Sequence, residues 1–195
     1  MKNDEIESTK QKIIDATLEL LRETGNISKI SIRKIVKKAG VKGVGLINYH
    51  FGTKDTLINE AVRTDTNALI DKWDEIYEKM EQVPNEKLRI MLRGTGDLAD
   101  VNPIFGKISI LYDILNPAKD DNTSRTIQKY MMIIKEIFPH KNDLEIKIIT
   151  HTLISAVQLA FLRADVIKAF TGLDMFEKEQ RDKILEVIIN TIIKK

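Results

Sequence analysis

The side chains best suited to binding chemistry lie close together, between Ser31 and Lys54. This stretch carries six basic residues and no Asp or Glu. A nucleic-acid phosphate backbone requires such cations, because an adjacent carboxylate would cancel the attraction. A solvated helix face without a partner has the same pattern, so charge alone leaves both interpretations open. The six residues are Arg33, Lys34, Lys37, Lys38, Lys42 and Lys54.

Two short helices are predicted to position these cations. Four apolar residues between Ser31 and Gly40 recur at the i, i+3, i+4, i+7 spacing of one helix face. Ser31 can cap the helix with its hydroxyl, and Gly40 can adopt the left-handed conformation that ends it. A second helical pattern runs from about Val44 to Phe51. Two short helices joined by a tight turn form a helix-turn-helix unit, whose second helix can enter the DNA major groove.

These residues resemble the N-terminal domain of the tetracycline-repressor (TetR) family of bacterial transcriptional regulators. In that family an Ala-Gly-Val turn leads to a recognition helix that ends in an aromatic-x-His-Phe or similar run. Gly-Ser/Thr-Lys and an acidic residue then open the next helix. The matching runs here are Ala39-Gly40-Val41, Asn48-Tyr49-His50-Phe51 and Gly52-Thr53-Lys54-Asp55, and the resemblance covers about residues 8–62.

The chain departs from the family pattern in two places. Eight residues separate Val41 from His50, where the family usually has seven. The turn is therefore longer or the second helix begins later, and which of residues 42–45 faces DNA stays open. Asn48 occupies a position that is often Tyr, and its amide can reach a phosphate or pair bidentately with adenine.

The resemblance implies DNA contacts in and around the second helix. Leu46 can pack on a thymine methyl or be partly buried against the first helix, and His50 can donate to phosphate or cap the helix end. Thr53 is expected to cap the next helix, whose first turn would lie on the DNA backbone with Lys54. The predicted DNA-binding residues are Ser31, Arg33, Lys42, Gly43, Val44, Gly45, Leu46, Asn48, Tyr49, His50, Thr53 and Lys54.

Composition predicts a soluble all-α protein. The 195 residues are 43% hydrophobic and 31% charged, and 9 Gly with 4 Pro disfavour an all-β fold. Residues 1–58 hold 11 Lys/Arg against 7 Asp/Glu, so the basic surplus lies in the N-terminal third. The polar N-terminus and the short apolar run Leu153–Leu162 favour a cytoplasmic protein.

No pattern predicts a metal, a cofactor or an enzyme. The chain has no Cys, and its three His residues lack ligand spacing. Neither Gly43-Val44-Gly45 nor Gly94-Thr95-Gly96 completes a phosphate-binding motif. The second pair of glycines instead predicts a kinked or loosened helix with room for a ligand.

The predicted organisation is a flexible arm over residues 1–8, a helix-turn-helix DNA-binding domain over 9–62, and a helical effector-binding and dimerisation domain over 63–195. About nine helices are expected in total. Besides the two short ones, their predicted spans are 9–24, 54–80, 85–100, 103–115, 123–138, 143–170 and 175–194.

The resemblance also implies a small-molecule site among the middle helices. Aromatic, Met and polar residues are the candidates, although such residues fill any helical core and each favours that ordinary role when taken alone. The candidates are Trp73, Tyr77, Met91, Phe105, Tyr112, Met131, Gln158 and Phe161.

The last two predicted helices are apolar on two sides, so both sides must be buried. One side can face the chain's own core and the other a second subunit, as in the family's four-helix dimer interface. A large monomeric core is the alternative. The predicted interface residues are Leu159, Leu162, Val166, Phe170, Leu185, Ile188, Ile189 and Ile192.

The sequence thus predicts a ligand-responsive repressor that binds a palindromic operator as a homodimer and is released by a small molecule. A regulator without an effector, an activator, and a helical protein-interaction module with a basic face remain as alternatives.

Overall fold

The computed structural model describes the backbone of residues 2–193 and the side chains of residues 6–67, 75–76 and 79–193. Within this range the fold is all-α, as predicted, with ten α-helices and one short 3-10 helix at Ile27–Lys29. The α-helices are α1 (Lys2–Thr24), α2 (Ile32–Ala39), α3 (Gly45–Phe51), α4 (Lys54–Glu78), α5 (Pro84–Val101), α6 (Pro103–Leu115), α7 (Asn122–Ile137), α8 (Asp143–Leu162), α9 (Ala164–Thr171) and α10 (Lys178–Ile192).

The chain forms two compact units. The first extends to Leu69 and also includes Ile104–Ser109, a segment distant in sequence. Its core joins one face of α1 to α2, α3 and the first half of α4. Apolar residues at helical spacing supply that core because a helix must bury its apolar stripe. Ile13, Ile35, Ile47 and Leu57 represent the four helices there and are fully buried.

The second unit comprises Ile70–Pro103 and the chain from Ile110 onward. Helix α7 packs against α5 and α8, and α10 packs against α5 and α8. A large apolar cluster joins these four helices around Leu88, Ile134, Leu153 and Ile189. A smaller cluster surrounds Phe161 at the C-terminal end of α8.

Three helix bounds differ from the predictions. Helix α1 begins at Lys2, so the backbone of the predicted arm is helical from that residue. The helix predicted over 143–170 breaks at Arg163, where φ is −108° and ψ is 32°. The last helix begins at Lys178 because Asp174 accepts a bond from the Phe176 N–H and holds a turn before it. No Gly or Pro lies at the break near Arg163, so helix-breaking residues in the sequence could not reveal it.

Among the described helices, α8 alone is long and apolar enough to cross a membrane on length and composition. It begins ten residues before the apolar run considered in the sequence. Leu153 and Ile154 are buried in the second unit's core, where α8 packs on α7 and α10. Core helices pass the same test, so α8 does not indicate a membrane protein.

Candidate DNA-binding surface

Helix α2 is bounded by the two residues that the sequence assigned to its ends. The Ser31 hydroxyl accepts a hydrogen bond from the Lys34 N–H at 3.3 Å, which confirms the predicted N-cap. Gly40 is left-handed, with φ 65° and ψ 26°. The Val41 N–H then donates to the Val36 carbonyl at 3.3 Å, which closes a Schellman-type end. The first helix of the pair is therefore fixed by local chemistry.

The turn between the helices runs from Gly40 to Val44, and α3 begins at Gly45. Neither Gly43 nor Gly45 has a positive φ. A Cβ added at either position would meet no atom of the chain within 4 Å. The backbone and the internal packing would therefore accept a larger residue at both positions. Helix α3 begins at the fifth residue after Gly40.

Helix α3 has a buried face and an exposed face. Ile47 is fully buried and Phe51 nearly so, and both belong to the first unit's core. On the other side Tyr49 is 72% exposed, Val44 is 47% exposed, and Asn48 is exposed as well. The core anchors the helix, so the exposed face is presented in one fixed orientation.

Two predicted contact residues of α3 have neighbours within the chain. Leu46 is half-buried and packs against the first unit's core, which agrees with the interpretation that it is partly buried within the domain. His50 is half-buried, and its ring meets the Tyr49 ring edge-on with centroids 5.0 Å apart. Both are therefore less available to a partner than Asn48 or Tyr49.

The start of α4 is capped as predicted. The Thr53 hydroxyl accepts a bond from the Thr56 N–H at 3.1 Å. The Lys54 ammonium donates to the Ile27 carbonyl at 3.2 Å. This bond ties α4 to the short 3-10 helix and leaves Lys54 two further N–H donors.

In the folded structure, acidic residues from outside the basic stretch lie close to one of its cations. The Lys38 ammonium lies 2.6 Å from a carboxylate oxygen of Glu23 and 3.1 Å from one of Glu19, both on α1. The hydrogen bonds to Glu23 and Glu19 raise the pKa of Lys38 above its usual value. Lys38 is therefore neutralised by its own chain, whereas Arg33 and Lys42 are exposed.

Of the predicted ligand-binding residues that belong to the apolar clusters of the described side chains, only Met91 and Met131 share a cluster. Phe105 is buried in the first unit's core, with the Arg22 guanidinium over its ring. In the second unit Met91 and Met131 belong to the large apolar cluster and Phe161 to the small one. Gln158 donates to the Thr123 hydroxyl at 3.0 Å, and Tyr112 is half-buried. Trp73 and Tyr77 lie outside the residues whose side chains are described.

The glycines of α5 do not loosen the helix, which is unbroken from Pro84 to Val101. Gly96 instead makes room for Arg181 of α10, whose side chain is almost fully buried. The Arg181 guanidinium pairs with Asp97 at 2.5 Å and also with Asp100. The space that the sequence assigned to a ligand is occupied by this ion cluster.

The predicted dimer residues divide into two groups. Leu185 and Ile189 are buried within the single chain, Ile189 in the large apolar cluster, so they leave no exposed area for a partner subunit to cover. Ile188 and Ile192 are half-buried and pack on that same core, and Leu162 and Val166 are also half-buried. Leu159 and Phe170 are exposed, Phe170 by 85%.

Two exposed apolar residues, Ile148 and Val187, were not among the predicted interface residues. Val187 on α10 is 66% exposed. On α8, Ile148, Thr152, Ser155 and Leu159 are all exposed and follow i, i+4, i+7, i+11, which is one helix face. Periodicity can find such a stripe only once the competing buried stripe is known.

An all-α chain with a capped helix-turn-helix and an exposed second helix is a helix-turn-helix DNA-binding protein by class. Residues 13–61 match the family described as bacterial regulatory proteins, tetR family. The chain is 33% identical over 96 residues to the HTH-type transcriptional regulator BetI 1 of Chromohalobacter salexigens, covering 48% of this chain and 45% of that one. It is 28% identical over 93 residues to BetI of Stenotrophomonas maltophilia, covering 48% and 46%.

The whole fold also has a solved counterpart. A TetR-like transcriptional regulator from Rhodococcus sp. RHA1 matches with a TM-score of 0.61 and 14% identity, covering 96% of this chain and 97% of that one. That likeness shows the fold, while each sequence match spans only about half of the relative's length. Together these findings assign residues 13–61 to the tetR family of bacterial regulatory proteins, and the sequence relatives of the chain are transcriptional regulators.

Proposed function

We propose that the protein is a cytoplasmic repressor that binds a palindromic operator as a homodimer and is released by a small-molecule effector. In this proposal residues 9–62 bind DNA, and residues 63–195 dimerise and bind the effector. The observation that carries it is the exposed face of α3. Asn48 and the 72%-exposed Tyr49 project from a helix that buried Ile47 anchors. A helix held in this way can read a groove because its exposed side chains keep one orientation.

The second unit offers a surface for the partner subunit. Ile148 and Leu159 on α8, which share one face with the polar Thr152 and Ser155, and Val187 on α10 leave apolar area uncovered in the single chain. A two-fold pairing of these faces would bury that area and give two recognition helices. On B-DNA such helices enter successive major grooves about 34–36 Å apart.

The first experiment is selection of bound sequences from random duplex DNA by the purified full chain. A palindromic winner supports a sequence-reading dimer, and the spacing of its half-sites gives the distance between recognition helices. A titration of salt on that duplex should give a log–log slope near −7 if the dimer contacts about eight phosphates. If the folded dimer enriches no DNA sequence, the proposal that it represses without a bound effector is overturned.

Effector response is tested separately. A thermal-shift screen with apolar and planar compounds should find one that raises the melting temperature and lowers operator affinity. Such a compound must bind the conformation that cannot bind DNA more tightly than it binds the conformation that can. A footprint that no compound changes would instead favour a regulator without an effector. Equal affinity for operator and random DNA would favour a protein-interaction module with a basic face.

A further inference from the structure

The inference drawn here rests on the proposed function and concerns what α3 reads. We propose that Val44 contacts the C5-methyl group of a thymine, and that Asn48 pairs with an adenine one or two base pairs away. The chain would thus require a half-site with a thymine and an adenine at these two positions. The proposal rests on the exposed Val44 and Asn48 and on two glycines beside Val44 that neither the backbone conformation nor the internal packing requires.

Val44 and Asn48 lie on one face of the helix. The Asn48 N–H donates to the Val44 carbonyl at 3.4 Å, so the two residues are one turn apart. Both are exposed, Val44 by 47%. Four helical residues rise about 6 Å, against about 3.4 Å per base pair. Side chains with this separation reach base pairs one or two steps apart.

The glycines on either side of Val44 indicate a close approach by another molecule. Ordinary φ values at Gly43 and Gly45 mean that neither is needed for the backbone. Open space around both means that neither is needed for internal packing. A glycine without an internal reason is expected where a second surface comes within contact of the backbone. Between these two glycines Val44 projects with an exposed side chain.

The chemistry of the two side chains selects the bases. Val44 offers two methyl groups and no hydrogen-bonding atom, so in the major groove its match is the thymine methyl. An asparagine amide donates and accepts at once, which matches adenine N6–H₂ and N7. Among the described residues, no hydrogen bond engages the Asn48 side-chain amide. It is therefore free to pair outward.

The test uses base analogues that remove one contact each. On the selected operator, each thymine is replaced in turn by deoxyuridine, which lacks only the C5-methyl group. Binding of the full chain is measured by fluorescence anisotropy. One thymine per half-site should show about threefold to fourfold weaker binding, the effect of one buried methyl group. Val44→Ala should bind the unmodified operator more weakly and should be insensitive to that replacement.

The same design tests the second contact. Replacement of one adenine per half-site by 7-deaza-adenine should weaken binding of the wild type, and Asn48→Ala should abolish that difference. Asn48→Ala should also lose about fivefold or more discrimination at this position. Val101→Ala, at an exposed valine of α5, is the matched control and should keep both sensitivities.

The outcomes separate the two levels of the proposal. This inference is overturned if the protein binds its operator specifically but removal of no thymine methyl group weakens binding. It is also overturned if removal of a methyl group weakens binding equally in Val44→Ala and in the wild type. Either result leaves the proposed function standing. Failure to bind any duplex specifically overturns the proposed function and this inference with it.

Discussion

Replacing Gly96 by alanine is expected to strain the contact between α5 and α10. The added Cβ would lie 2.6 Å from Nε and 2.9 Å from Cδ of Arg181. Those atoms belong to the inner part of a side chain that is 2% exposed. Its outer nitrogens are held by Asp97 and Asp100. Arg181 cannot swing aside without breaking these pairs, so the helices must shift.

The magnitude follows from two opposing effects. Overpacking a well-packed contact costs about 1–3 kcal/mol, and the better helix propensity of alanine offsets about 0.5–1 kcal/mol. The free energy of unfolding should therefore fall by about 1 kcal/mol, the difference between the middles of these two ranges, which lowers the melting temperature by about 2–4 °C in a chain of 195 residues. The matched control is Gly45→Ala, a helical glycine with open space, which should stabilise the protein by about 0.5–1 kcal/mol.

A double-mutant cycle tests the cause. Arg181→Ala removes the obstacle and leaves Asp97 and Asp100, whose side chains are 37% and 33% exposed. Because water can reach these carboxylates, the loss should lie near the low end of about 3–5 kcal/mol for breaking a buried pair. In that background Gly96→Ala should become neutral or stabilising in urea unfolding followed by circular dichroism. An equal cost in both backgrounds would refute the steric reasoning, as would a stabilised Gly96→Ala single variant.

Three further predictions follow from the described contacts. Arg33→Ala should reduce operator affinity and the salt slope by about one unit. Lys38→Ala should change neither, because two α1 carboxylates already hold its ammonium; an equal loss in both variants would contradict this assignment. Bonds from the Asn142 N–H and from Lys141 lower the pKa of Glu145, so their stabilisation is present above the ordinary pKa of a glutamate and is lost as pH falls through the lowered pKa of the folded state. Glu145→Gln should flatten that acid limb in melting curves measured from pH 7 to 3, and an unchanged limb would count against it. Val187→Glu should yield monomers in analytical ultracentrifugation while keeping the helical signal, since the side chain is 66% exposed in the single chain; a persistent dimer would place the interface elsewhere.

Much of the first unit could be predicted from the sequence because its signals are local. The Ser31 and Thr53 caps and the left-handed Gly40 each depend on a few neighbouring residues. The short helices and the buried Ile47 follow from the spacing of apolar residues. The family motif lies in this same region, at residues 13–61.

The second unit was harder to predict because its helices are apolar on more than one side. Periodicity indicated that the apolar face of the last helix is too wide for one contact but could not say which side the chain itself would bury. The structure buries Leu185 and Ile189 and exposes Val187. The break at Arg163 likewise has no local signal, since a short apolar helix can continue or bend with little difference in propensity.

The sequence by itself determined the helical class, the helix ends around the recognition helix and the basic bias of the N-terminal third. These properties depend on neighbours along the chain, where spacing is known. Only the tertiary structure decided that Lys38 is paired by α1 and that Gly96 accommodates Arg181. The partners in both contacts are distant in sequence, so their charges and volumes meet only after the helices have packed.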